Sequence, residues 1–270
     1  VKANKSILAI IITLSLFSCK SRDISDKNFT SFDGTKIAYT DNGKGEIVLL
    51  IHGFIVDGNM NWGKSALKKQ LINQGYRVII PDLRGNGNSD KPLDENAYKD
   101  GAEIKDLIAL IDHLEAEDYM TIGYSRGAIV LANLLTKDKR ITKAVFGGMG
   151  IDFTNPNWDR KIEFGNVFSG RTEPNEMTKG AVGFAKYLEI DFTIMGYLQD
   201  HQPETTIAEL NTIEIETLVI CGEEDLDNGS PKELQERLPN SRLILVSGDH
   251  NSTVNSMEFA ESIIDFLNEE

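Results

Sequence analysis

The sequence predicts an α/β fold built on a twisted, mostly parallel sheet. Two short apolar runs, EIVLLIHG at 46–53 and RVIIPD at 77–82, have the length and composition of strands buried on both faces. Stretches with helical spacing, such as SALKKQLINQG at 65–75 and AEIKDLIALIDHL at 102–114, follow these strands. The alternation continues to the end of the chain and breaks only between Asp152 and Glu216, where strand signals vanish. Strands alternating with helices make βαβ units, whose crossovers cover both faces of a parallel sheet.

The elements follow in order. Phe29–Phe32 and Lys36–Thr40 flank Asp33-Gly34, a hairpin signal. The strand at 46–53 leads to the helix at 65–75, which stops at Gly75, and then to the strand at 77–82. The helix at 102–114 precedes the strand YMTIGYS (119–125), the helix GAIVLANLL (127–135) and the strand TKAVFGG (142–148). TLVICG (217–222) and RLILVSG (242–248) are further strands, with helical patterns at 232–238 and 255–268. The interval 152–216 carries Phe153, Trp158, Phe164, Phe168, Phe184, Tyr187, Phe192 and Tyr197. A structureless loop of that length is rare in a compact domain, so a helical insertion is expected, read as a lid over the carboxyl edge of the sheet.

A chain of 270 residues with 40% hydrophobic content accommodates one large α/β domain carrying such an insertion. Its net charge of −14 disfavours nucleic acid and anionic lipid surfaces as main partners and leaves a small-molecule substrate open. The N-terminal stretch is different. Lys2 and Lys5 precede an apolar run from Ile7 to Phe17, followed by Ser18 and Cys19. The run is shorter than the roughly 20 residues that span a bilayer, and it has the form of an export signal. Leu16-Phe17-Ser18-Cys19 resembles a bacterial lipoprotein lipobox, which implies lipid attachment at Cys19 and a membrane-anchored protein of the cell envelope; an ordinary cleaved signal or a membrane-retained anchor is the alternative. The expected division is therefore a signal peptide at 1–18, a polar tether at 19–28, a core at 29–151 and 217–270, and a lid at 152–216. Cys221 reads as a buried thiol, so no disulfide or cysteine–metal framework is available.

Within this frame GYSRG (123–127) joins a strand to a helix. Flanking glycines permit a sharp turn that exposes a serine hydroxyl at the start of a helix, the arrangement of a nucleophile elbow. A serine hydroxyl needs a base near neutral pH. His113 lies within an amphipathic helix, and His201 lies in the insertion. His52, in IHGF, is expected to brace its loop and to line the substrate site together with Trp158. His250, in VSGDHNS, both follows the serine and sits beyond the end of a strand, which makes it the candidate base. Asp225, directly after TLVICG, is the candidate orienting acid, with Asp152 as a rival at the preceding strand end. The backbone N–H groups of Phe54 and Arg126 are the candidate oxyanion donors. The Arg126 side chain either meets a substrate carboxylate or pairs with an acidic neighbour.

HGF (52–54), DLRGNGNSD (82–90), GYSRG (123–127), GEED (222–225) and GDH (248–250) together resemble the α/β-hydrolase family in order and spacing. The likeness runs over about residues 28–270. It implies an eight-stranded sheet, a lid inserted between strands 6 and 7, a triad of Ser125, Asp225 and His250, and no cofactor. Within DLRGNGNSD, Arg84, Gly85 and Ser89 are expected to shape the loop beside the site. The expected activity is cleavage of a carboxylic ester through an acyl-enzyme. Carbon–carbon or amide hydrolysis by the same groups is the alternative, and a ligand-binding protein with an idle triad is the non-enzymatic one. Oligomeric state is left open.

Overall fold

The computed structural model describes residues 27–269. The predicted signal peptide, most of the tether and Cys19 lie outside the described residues. Eight strands form one sheet: β1 (Lys27–Thr30), β2 (Lys36–Gly43), β3 (Ile47–Ile51), β4 (Arg77–Pro81), β5 (Tyr119–Tyr124), β6 (Ile141–Gly147), β7 (Glu216–Gly222) and β8 (Ser241–Val246). Their order across the sheet is β1-β2-β4-β3-β5-β6-β7-β8. The pairings β1–β2 and β2–β4 are antiparallel, and the rest are parallel.

Two boundaries differ from expectation at the amino-terminal edge. Lys27 and Asn28, assigned to the tether, already belong to β1, pairing with Tyr39 and Ala38. β2 continues three residues beyond Thr40 through Asp41-Asn42-Gly43. Turn-forming residues extend a strand here because Gly43 stays in register with Arg77, and Asp41 binds the Arg77 guanidinium through two 2.9 Å hydrogen bonds.

Helices cover both faces. α1 (Ala66–Asn73) packs on one face, with Leu67 and Leu71 fully buried among the side chains of β3, β4 and β5. Two further helices, α2 (Ala102–His113) and α3 (Arg126–Lys137), pack on the other through Leu107, Leu110, Ala128 and Leu131. After β6 come α4 (Asp159–Phe168), α5 (Lys179–Tyr187), α6 (Phe192–Asp200) and α7 (Ile207–Leu210), with no strand among them. α8 (Pro231–Glu236) and α9 (Met257–Asn268) complete the chain, α9 lying on the α1 face through Phe259, Ile263 and Ile264. Ser65, Ser230 and Ser256 cap α1, α8 and α9 by accepting N–H bonds from the third residue inside each helix.

The insertion has a core of its own, in which Phe164, Phe168, Val182, Ile194 and Leu198 pack around Ile55 and Tyr98. It is narrower than the aromatic count implies. Phe153 near its start and Leu210 near its end pack with the sheet instead. Aromatic content alone does not tell which hydrophobic cluster a side chain joins.

The order β4-β3-β5 places the site. β3 and β5 are parallel neighbours, but the helices that follow them, α1 and α3, cover opposite faces. Loops leaving the two carboxyl ends therefore diverge and open a crevice between them, the switch point at which open α/β sheets take their ligands.

Candidate active site

Ser125 follows β5 at the N-cap position of α3. Its backbone sits at φ 54° and ψ −124°, a conformation that costs a side-chain-bearing residue about 1–3 kcal/mol. The turn is held by the Ser125 N–H, which donates to the Gly147 carbonyl at 2.8 Å. It also depends on two glycines. A Cβ on Gly123 would lie 2.4 Å from the Gly127 carbonyl oxygen, and one on Gly127 would lie 2.3 Å from that of Ile51. Strand and helix thus approach to a distance that only glycine allows. Serine is a preferred helix cap, yet this hydroxyl makes no cap bond. It faces His250.

His250 Nε2 lies 2.9 Å from Ser125 Oγ, and its Nδ1 lies 2.7 Å from Asp225 Oδ2. An ionised carboxylate only accepts, so the ring proton belongs on Nδ1, and Nε2 is left to accept from the serine. Asp225 is buried, and its side chain is only 2% exposed. The three groups come from loops after β5, β7 and β8, all carboxyl ends of parallel strands. Asp152, the rival acid, sits in a turn at Ile151–Thr154 beside Gly229 and makes no hydrogen bond to the histidine.

The loop after β3 closes the other side. Asn61 Oδ1 accepts the Gly53 N–H at 2.9 Å, which fixes the backbone just before Phe54. The amides of Phe54 and Arg126 donate to no other described group. His52 does brace this loop. Its Nδ1 donates to the Gly53 carbonyl at 2.8 Å, and its Nε2 accepts from the Leu83 N–H at 3.0 Å. Burial depresses its basicity and keeps it neutral, which this pattern of one donor and one acceptor requires.

A cavity of about 940 Å³ opens over Ser125 and His250. Phe54, Phe164 and Phe184 line it, together with Met60, Met177, Val254 and the charged side chains of Arg160, Glu176 and Asp227. Two expected lining residues are absent from its wall. His52 is 1% exposed and turned into its brace, while Trp158 packs against the sheet core at the entry to α4. The Arg126 side chain is not available to a substrate either. It forms a two-fold ion pair with Glu103 of α2 at 2.7 and 2.8 Å and donates to the Leu198 carbonyl at 2.9 Å. Of the two readings of Arg126, pairing with an acidic neighbour holds.

Tyr124 escaped the sequence reading. Its hydroxyl donates to the His250 carbonyl at 2.6 Å, and its ring packs 5.4 Å from the imidazole. Burial raises its pKa, so it stays protonated as a donor. A tyrosine beside the serine was the available signal, but nothing local says that it reaches a loop 126 residues away. In DLRGNGNSD, Asp82 accepts the Gly58 and Asn88 N–H groups, and Ser89 Oγ donates to the Asp82 carbonyl. Arg84, fully buried, donates four hydrogen bonds, two to Asp106, one to Asp33 and one to the Ala97 carbonyl. These residues do shape the loop. His113 stacks on Phe29, His201 meets Glu95 at 2.7 Å, and burial pushes the Cys221 thiol up to about 12. Among the described residues, no cluster of three or more His, Cys, Asp and Glu side chains is arranged to hold a metal ion.

Sheet order, crossover helices and the helical insertion after β6 define the α/β-hydrolase fold. Residues 46–166 match the α/β hydrolase fold family. A non-heme chloroperoxidase from Kitasatospora aureofaciens is 26% identical over 278 aligned positions, covering 88% of this chain and 98% of that protein. An epoxide hydrolase from Caballeronia sordidicola is 34% identical over 115 residues, which are 43% of this chain but only 34% of the relative. The chain thus spans about a third of that relative's length. An esterase from Exiguobacterium antarcticum superposes with a TM-score of 0.70 at 22% identity, over 90% of this chain and 99% of that one.

Proposed function

We propose that this chain is a serine hydrolase that cleaves a carboxylic ester. The observation that carries this reading is the hydrogen-bonded series Asp225–His250–Ser125 at the floor of the cavity. Ser125 Oγ attacks the ester carbonyl carbon as its proton passes to His250 Nε2. The carbonyl electron pair moves to oxygen, where the Phe54 and Arg126 amides receive the charge. Each such donor is worth about 10²–10³ in rate. Collapse breaks the bond to the alcohol, which takes the proton from Nε2 and leaves an acyl-serine. Water then attacks the acyl carbon, giving a proton to Nε2. The second collapse releases the carboxylic acid and returns that proton to Ser125 Oγ. Asp225 holds the imidazole in place and stabilises its charged form throughout. No cofactor enters these steps.

Chemistry separates this reading from the activities named for some relatives. Serine attack on an epoxide carbon would leave an ether, which offers water no carbonyl to attack, and the cycle would stop. An acyl-serine turns over. Amide or carbon–carbon cleavage by the same groups would expel a poorer leaving group than an alkoxide, so the ester is the reading favoured.

The test is hydrolysis of 4-nitrophenyl acetate, butyrate and octanoate by the wild type and by Ser125→Ala. Turnover with an initial burst, lost in the variant, supports the proposal. Equal rates from both proteins reject it.

A further inference from the structure

We infer that Arg160 recognises an ionised carboxylate carried by the substrate, so that the preferred esters are acidic ones. This rests on the hydrolase reading above and adds a substrate class to it. Arg160 is the second residue of α4, and its side chain lines the same cavity as Ser125 and His250. A cation in the first turn of a helix opposes the helix dipole. Burial also lowers its pKa, so the charge is held at a cost. No hydrogen bond within the described residues repays that cost. The nearest carboxylate, Asp227, makes a loose ion pair with it at 3.8 Å, too long for a hydrogen bond and half exposed to solvent, and Asp227 and Asp225 offset only part of the effect of burial. Glu176, the other acid on the wall, pairs with Lys179.

The remaining described arginines differ. Arg77, Arg84, Arg126, Arg140, Arg171 and Arg242 each donate hydrogen bonds to a carboxylate. Arg237 is exposed at the end of α8 and is not part of the cavity wall. In Arg160 the guanidinium carbon lies over the Phe164 ring, 4.7 Å from its centroid, and no N–H of the group makes a hydrogen bond within the described residues. A planar fork with unused donors matches a carboxylate in two-point contact. The net charge of −14 gives no long-range attraction for an anion, so the recognition has to come from contact inside the cavity.

The experiment compares ester pairs matched in size, using the full chain. Mono-4-nitrophenyl adipate is set against 4-nitrophenyl hexanoate, and 4-acetoxybenzoate against 4-acetoxybenzamide. The readout is the acid-to-neutral ratio of kcat/KM. Arg160→Gln is expected to lower that ratio about tenfold or more in at least one pair. Asp227→Asn, which removes the competing carboxylate, is expected to raise it. A ratio that stays within about twofold in both pairs overturns the inference, and so does equal loss of both members of each pair, which marks a purely structural arginine. Calorimetric binding of adipate to Ser125→Ala, with and without Arg160→Gln, separates the two readings. If no ester turns over but adipate binds through Arg160, the anion site stands and the hydrolase reading falls. If esters turn over, adipate does not bind and the ratio is unmoved, the anion site falls and the hydrolase reading stands.

Discussion

Tyr124→Phe is the most direct test of how the site is held together. The substitution removes one atom group, the hydroxyl that donates to the His250 carbonyl at 2.6 Å. The ring contacts remain, because the phenyl still meets Trp62 at a 6.3 Å centroid distance and Phe259 at 5.7 Å. One neutral hydrogen bond is worth about 0.5–1.5 kcal/mol net. The value belongs near the middle of that range, since the His250 side chain is 15% exposed and water can reach its loop. If the whole of about 1 kcal/mol is lost from the orientation of the imidazole, kcat/KM falls about fivefold. Stability falls by no more than the same amount, or a Tm shift of about 2–4 °C in a protein of this size. Ester hydrolysis at saturating and limiting substrate, with a thermal melt of the same preparation, measures both. Unchanged kcat/KM would refute the claim that Tyr124 positions His250. A loss of about a thousandfold would refute it in the other direction, because one positioning bond cannot supply that much.

Two further outcomes follow from buried and edge ion pairs. Glu103→Gln leaves the Arg126 guanidinium, 4% exposed, without its countercharge, and should cost about 3–5 kcal/mol in a denaturant titration. Replacing both residues with apolar ones should recover much of that loss. Asp41 is held down to about 2, first by its hydrogen bonds to Arg77 and then by Lys27. Its folded pKa is depressed, so its contribution is complete above the unfolded value of about 3.9 and is lost as the pH falls towards the folded one. Asp41→Asn should therefore be less stable by about 1–2 kcal/mol at neutral pH, a figure discounted for the half-exposed Lys27, with the gap closing between about pH 4 and pH 2. Urea titrations across that window check it.

The parts of this molecule that were legible in the sequence are those whose cause is local. Continuous apolar runs marked β3 to β7 within a residue or two, because burial on both faces leaves no polar position. That Ser125, Asp225 and His250 meet in space was legible for a related reason. Each stands at the carboxyl end of a strand, and in a parallel sheet those ends converge. The run on from Thr40 into Asp41-Asn42-Gly43 was not legible. Turn propensity is a local signal, and the ladder with Arg77 that overrides it is not. The five-residue π-helix at Asn59–Gly63 had no local mark either, although it buries Trp62 and delivers Asn61 to the Gly53 amide.

The two arginines near the site show where local reading stops. Arg126 stands next to the serine, and by position it is the cation that a substrate would meet. Its partner is Glu103, one helix earlier, and the pair forms because α2 and α3 lie side by side on the same face of the sheet. Arg160 lies 35 residues after the serine in the aromatic-rich insertion, and it reaches the cavity because α4 packs through Phe164 and Phe168 against Phe54. Packing of α2 on α3 gave Arg126 a structural partner, and packing of α4 on Phe54 gave Arg160 a wall position with a loose ion pair and no hydrogen bond. A charge inside a pocket informs on the ligand only after its protein partners have been counted. By that count Arg126 is spoken for, and Arg160 is the cation left for the substrate.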